Sequence, residues 1–158
     1  TPAFITELRE GDIFVFGSNK EGMHGGGAAR IAYEKFGAKW GEGIGMTGRC
    51  YAIPTMDGSL DIIRKHVDDF TEYAAAHPEL TFLVTRIGCG IAGWRDSEIA
   101  PLFGKASKLG NVTLPEEFWK KLGLACSKNK SADTISCILI QKLLAEFIDI
   151  VRKLPDRF

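Results

Sequence analysis

The sequence contains no long apolar run. No hydrophobic stretch approaches the ~20 residues an apolar helix needs to span a bilayer, and the longest near the start covers only residues 13–16. A membrane span and a secretory leader are therefore not expected. There is no excess of charge either: 20 basic and 20 acidic residues leave a formal net charge of zero. Nothing global pulls the chain toward nucleic acid or an anionic membrane surface. Cysteine is sparse and scattered. Cys50, Cys89, Cys126 and Cys137 form no C-x-x-C pair, and His24, His66 and His77 are not spaced with them as zinc ligands are. The expectation is reduced thiols in a cytoplasmic protein, with no metal and no cofactor.

What is present is ordinary globular material. The 158 residues are 45% hydrophobic and 25% charged, enough for one domain with a core of its own. Short strand-like runs alternate with helical patterns. Residues 13–17 (IFVFG) read as a buried strand, and residues 29–37 (ARIAYEKFG) as a helix closed by Gly37. Residues 49–55 are strand-like and end at Pro54. Residues 59–78 make an amphipathic helix with Ser59 as cap, Pro78 as stop and Ile62, Ile63, Val67, Phe70 and Ala74 as its stripe. Residues 80–87 are the cleanest strand. Residues 95–107 read as a helix capped by Asp96 or Ser97, residues 111–114 as an edge strand, and residues 115–123 as a helix started by Pro115. This alternation predicts a three-layer α/β/α fold on a mixed, largely parallel sheet. Beyond it, residues 124–158 hold a polar linker and a helix-like pattern over 133–155 with Ile138, Leu139, Leu143, Phe147 and Ile150 as an apolar stripe. That added C-terminal helix either packs on the domain, which spans 1–123, or makes a dimer contact.

Two glycine clusters directly follow strands. The first is Gly17-Ser18-Asn19 and, after a polar turn, His24-Gly25-Gly26-Gly27 at the mouth of a helix; the second is Gly88-Cys89-Gly90-Ile91-Ala92-Gly93. In parallel sheets ligands sit beyond the carboxyl ends of strands. A glycine-lined helix mouth offers bare N–H groups and the positive end of the helix dipole to an anion. Alone, the triple glycine fits equally a tight turn that lets a helix pack close to a strand. The second cluster tips the reading toward two loops gripping one diphosphate from both sides. The common phosphate motifs fail here. Gly27-Ala28-Ala29 stands where a P-loop needs Gly-Lys-Ser/Thr, and Gly43-x-Gly45-x-x-Gly48 precedes a strand rather than a helix. Residues 41–48 are read as a mobile loop, either plain or a lid over a ligand.

The pair GSN…HGGGAARIA and TRIGCGIAGWRDSEIAPLF resembles the macro domains, which bind ADP-ribose. The order GDIF, YAIPTMDG, IRKHVDDF, TRIGCG is similar to that of the single-macro-domain deacylases that release ADP-ribose from acidic side chains. The likeness covers residues 11–103. It implies a partner in the form of ADP-ribose or an ADP-ribosylated macromolecule. Asn19 would lie by the distal ribose, with Gly17 and Ser18 beside it. His24, Gly25, Gly26, Gly27 and Ala28 would form the first loop, and Thr55 would close the strand beside it. Gly88, Cys89, Gly90, Ile91, Ala92 and Gly93 would wrap the diphosphate, and Trp94 would stack on a ribose or base or belong to the core.

Departures from the family bear on catalysis. Met56 stands where the deacylases carry a lysine, Ala92 where they carry an acid, and Ala28 and Ala29 where other macro hydrolases place an aspartate. Asp57 and Asp96 are nearby acids that also suit a turn and a helix cap. Asp12 is a candidate for the aspartate that reads adenine. The first expectation is an ADP-ribose-binding domain. The alternative is a hydrolase of ADP-ribosyl groups or of ADP-ribose 1″-phosphate, using a water oriented by Asn19 and helped by His24 or Asp57. A non-catalytic interaction module is the third.

Overall fold

The structure, a computed structural model, describes residues 1–123. The helix read over 133–155, its linker, Cys126 and Cys137 lie outside the described residues. In chain order the elements are β1 (Asp12–Ser18), α1 (Gly27–Phe36), β2 (Gly45–Thr47), β3 (Cys50–Pro54), α2 (Leu60–Ala76), β4 (Thr81–Val84), α3 (Asp96–Ile99), β5 (Val112–Thr113) and α4 (Glu116–Lys121). Two 3-10 turns, Ala100–Phe103 and Ala106–Lys108, follow α3. The sheet order is β2-β3-β1-β4-β5. β1 runs parallel to β3 and β4, and β4 parallel to β5; only β2 is antiparallel, against β3. The fold is the expected α/β arrangement with a mixed, largely parallel sheet between helical layers.

The period of two in β1 explains the layers. Ile13 and Val15 face one side, with Tyr51 and Ile53 of β3 and Phe82 and Val84 of β4. There they meet Ile63, Val67, Phe70 and Ala74 of α2, Ile99 of α3 and Phe118 of α4. Phe14 and Phe16 face the other side, where Ala29, Ala32 and Phe36 of α1 cover them with Cys50, Ala52 and Ala38. The segment before β1 supplies Ile5 and Leu8 to that second layer. Burying such a side chain contributes about 1.5–3 kcal/mol, so both faces of the sheet are driven by the same alternating pattern.

Several expectations are corrected. Residues 41–48 are not all loop, because Gly45–Thr47 pairs as β2 with β3; Ser18 Oγ donates to the Gly43 carbonyl just before it. The run 95–107 is not one helix. α3 stops at Ile99 and the chain tightens into 3-10 turns where Pro101, lacking an N–H, cannot continue the α ladder. α3 is capped by neither Asp96 nor Ser97. Arg95 takes the N-cap position and its N–H donates to Glu98 Oε2 at 2.9 Å, while Asp96 turns to Arg86. Ser59 holds the N-cap position of α2 by backbone alone, without a side-chain capping bond. β4 ends at Val84, three residues short of the run read from the sequence, because the Ile87 N–H turns back to the Thr85 carbonyl. No helix among the described residues is long and apolar enough to cross a membrane.

Candidate functional site

A cleft of about 620 Å³ opens at the carboxyl ends of β1 and β4. Gly17 makes the convergence there possible. A Cβ at Gly17 would stand 3.0 Å from Thr55 Oγ1 and 3.3 Å from the Gly88 nitrogen, so the ends of β1 and β3 and the start of the second loop meet only because the side chain is missing. One wall is the mouth of α1. Gly26 holds its N-cap position in extended conformation, no side chain caps the helix, and no acidic residue occupies its first turn. Gly27 carries φ +56°, a conformation that costs an L side chain roughly 1–2 kcal/mol. The helix mouth is therefore left to backbone N–H groups and a dipole that favours negative charge.

The opposite wall is the second loop. The Trp94 N–H donates to the Gly88 carbonyl at 2.9 Å, the Gly93 N–H to Gly90 at 3.0 Å, and the Trp94 indole N–H to the Thr55 carbonyl at 2.9 Å. Ile91 projects from this loop, 72% exposed, and its Cδ1 lies 3.0 Å from where a Cβ on Gly26 would be. The two loops thus face each other across one slot.

Of the residues expected at a site, Gly17, Ser18, Asn19, Gly26, Gly27, Ala28, Thr55, Gly88, Gly90, Ile91 and Ala92 border this cleft. His24 does not. It is 1% exposed, its Nε2 pairs with the Lys39 carbonyl at 3.0 Å, and its ring stands edge-on to Phe16. It anchors the first loop from behind the cleft wall. Asp57 is also outside. Its Oδ2 accepts the Lys20 N–H at 2.6 Å and ties the Met56–Gly58 turn to the first loop. Gly25, Cys89, Gly93 and Trp94 are placed behind or beside the walls, and the Trp94 indole is used in holding the loop. Asn19 borders the cleft, but its carboxamide closes on Met23, accepting that N–H and donating to that carbonyl, both at 2.9 Å. Asp12 accepts the Arg9 N–H and lies in a separate hollow under the leading segment.

Charge in the cleft is all of one sign. Among the described residues that border it, the ionisable side chains are Lys35 and Arg86; no carboxylate, imidazole or thiol does. Arg86 forms a two-point pair with Asp96, at 2.7 and 2.6 Å. That pair holds the Asp96 carboxyl below its ordinary value, and the Cys89 thiol donating to the same carboxylate adds to the effect. Burial, followed by the hydrogen bond to Asp96 and then its charge, pushes the Cys89 thiol up to about 12, which favours the protonated thiol at neutral pH. No group of three metal-ligating side chains gathers among the described residues.

Sequence reasoning missed Phe4, Ile5, Met23, Lys35, Thr85 and Arg86, all of which border the cleft. A signal existed for Lys35, seven residues after Ala28 and so on the same helix face. None existed for the leading segment, which lacks periodicity. Comparison of the chain with family models, with curated proteins and with solved structures gives no match.

Proposed function

We propose that the described domain binds ADP-ribose, free or attached to a macromolecule, in the cleft between its two glycine loops. One observation carries this reading: an uncapped helix mouth free of acidic residues faces a second glycine loop across a slot that no carboxylate of the described residues borders. Such a slot suits a diphosphate, with backbone amides on either side and ribose at the flanks. The motif order noted in the sequence narrows the diphosphate to that of ADP-ribose.

Binding is favoured over hydrolysis. Proton transfer by a placed side chain contributes typically ~10²–10⁴-fold, and the described groups at the cleft wall do not include one suited to it. Asn19, the nearest candidate for orienting a water, spends its amide on Met23. The test is thermal unfolding with ADP-ribose beside AMP, ADP and NAD. A ligand at 100 times its Kd stabilises by about 2.7 kcal/mol, so a clear upward shift with ADP-ribose is expected. No shift at millimolar ADP-ribose refutes the reading. Rapid release of ADP-ribose from a modified protein, retained in Asn19→Ala, refutes the preference for binding.

A further inference from the structure

Exposed apolar side chains are not spread evenly over the described residues. Met23, Ile44, Met56 and Ile62 are 53, 54, 52 and 39% exposed, and they make up half of the eight large apolar side chains that stand out in solvent. Scattered singly they would need no explanation, but these four surround one turn. Asn19, after the end of β1, clasps Met23 through its carboxamide. On one side of that turn the Gly41 N–H donates to the Gly22 carbonyl at 2.9 Å, Gly43 sits so close to the Asn19 carbonyl that a Cβ would overlap it, and Ile44 follows. On the other side Asp57 accepts the Lys20 N–H, with Met56 directly before it. Gly58 then lies against Ile62, where a Cβ would stand 2.5 Å from Cδ1. Met23 and Met56 also border the cleft, so this apolar collar is continuous with the cleft mouth at its Asn19 end.

The charges around the collar narrow what it fits. Lys20 stands beside Glu21, Lys39 pairs with Glu42 at 3.6 Å, and Asp57 adds a carboxylate. Nucleic acids take much of their affinity from phosphates neutralised by lysine and arginine, and this surface has no cationic excess to offer them. Clustered apolar surface beside a cleft suits a protein contact instead. Methionine is unbranched and polarisable, so it adapts to many apolar partners rather than to one.

We infer that this collar receives the polypeptide that carries the ADP-ribosyl group, by taking apolar residues that flank the modified side chain. The inference rests on the proposed ADP-ribose reading of the loops, in which the distal ribose lies at Asn19 and the carrier leaves the cleft there. The flanks add affinity by burying apolar surface on both sides of the turn. They are selected for being apolar and not for one sequence. Free ADP-ribose gains nothing from the collar.

Calorimetry on the full chain tests this. The probes are free ADP-ribose and a short peptide bearing ADP-ribose on its central side chain in a hydrolysis-resistant linkage. One version of the peptide is flanked by leucine and valine, the other by serine and glycine. The proteins are wild type, Ile44→Ser, Ile62→Ser and Gly26→Glu. The apolar-flanked peptide is expected to bind wild type about tenfold tighter than the other two probes, a difference of about 1.4 kcal/mol. Ile44 and Ile62 lie on opposite sides of the turn and outside the cleft wall. Each serine substitution should cut the advantage about threefold and leave free ADP-ribose within about twofold. Both positions are exposed, so thermal midpoints without ligand stay within a few degrees. Equal affinity for the two peptides, or an advantage that survives both substitutions, overturns the collar. So does an oligonucleotide bearing ADP-ribose that binds tighter than the apolar-flanked peptide, or a wild-type dimer in sedimentation that Ile44→Ser dissolves. The loop reading then stands if free ADP-ribose binds wild type and not Gly26→Glu. Failure of wild type to bind any probe removes the loop reading and the collar with it.

Discussion

A methyl group added at Gly43 would overlap the carbonyl oxygen of Asn19, and one added at Gly48 would overlap that of Gly37. A methyl added at Gly90 would meet nothing within 4 Å, and one at Gly26 only the tip of Ile91, at 3.0 Å. The first pair sits where the β2 region presses on the loop after β1 and on the end of α1. The second group faces the cleft. In one region glycine is needed by the protein itself, because backbone touches backbone. In the other, space is kept open that no part of the described protein fills. Glycine content alone does not separate a packing device from a ligand surface; what lies within a methyl's reach does.

Substitutions that add only a methyl separate the regions most strongly. Gly43→Ala is expected to destabilise by more than about 3 kcal/mol, since its neighbour is a carbonyl that cannot swing aside. Gly90→Ala should stay within about 1 kcal/mol of wild type. Urea unfolding midpoints measure both, and a tolerated Gly43→Ala would show that the two loops are free to part. Next in size, Gly26→Glu and Gly90→Glu should keep the thermal midpoint within a few degrees but weaken ADP-ribose by at least ~100-fold, about 2.7 kcal/mol, by placing a carboxylate where amides should meet phosphate. Unchanged affinity in either variant breaks the two-loop site.

A smaller effect concerns what holds the second loop. Arg86 keeps the folded-state value of Asp96 below its ordinary 3.8. A depressed carboxylate contributes stability that is complete above the unfolded value and is lost as pH falls through the folded one. Wild type should therefore lose stability below about pH 4, and Asp96→Asn should show a flatter acid limb with a lower plateau at neutral pH. Identical curves would mean that the pair does not hold the loop. The smallest effect is expected at Cys89→Ser. The thiol stands outside the cleft and serves the same carboxylate, so ADP-ribose affinity should change by less than about twofold, under ~0.4 kcal/mol. A larger change would put residue 89 in the wall.

The sheet was legible because Ile13–Phe16 alternates between two apolar layers and each following run repeats the strand period. The loops were legible because glycines at a strand end have few uses. β2 was hidden by its own glycines. Gly43, Gly45 and Gly48 lower strand propensity, and what keeps them in place is Ser18, Asn19 and Gly37, far along the chain. The division within residues 95–107 was missed because the break that Pro101 imposes after α3 was not weighed. His24 and Trp94 were assigned to a site by the resemblance, and Asp57 because it follows Met56. Which way such side chains point depends on Lys39, Lys20 and Thr55, and no local pattern encodes those partners.

The second loop is held by three hydrogen bonds of the protein's own, and the first by the Asn19 clasp on Met23. For the ligand proposed above, both walls are already set by the protein's own bonds, and the exposed Ile91 side chain can swing aside in about nanoseconds or less. Encounter and capture then merge into one step. The observed association rate should climb linearly with ligand concentration without a plateau, and differences in affinity among related ligands should appear in how long each one stays.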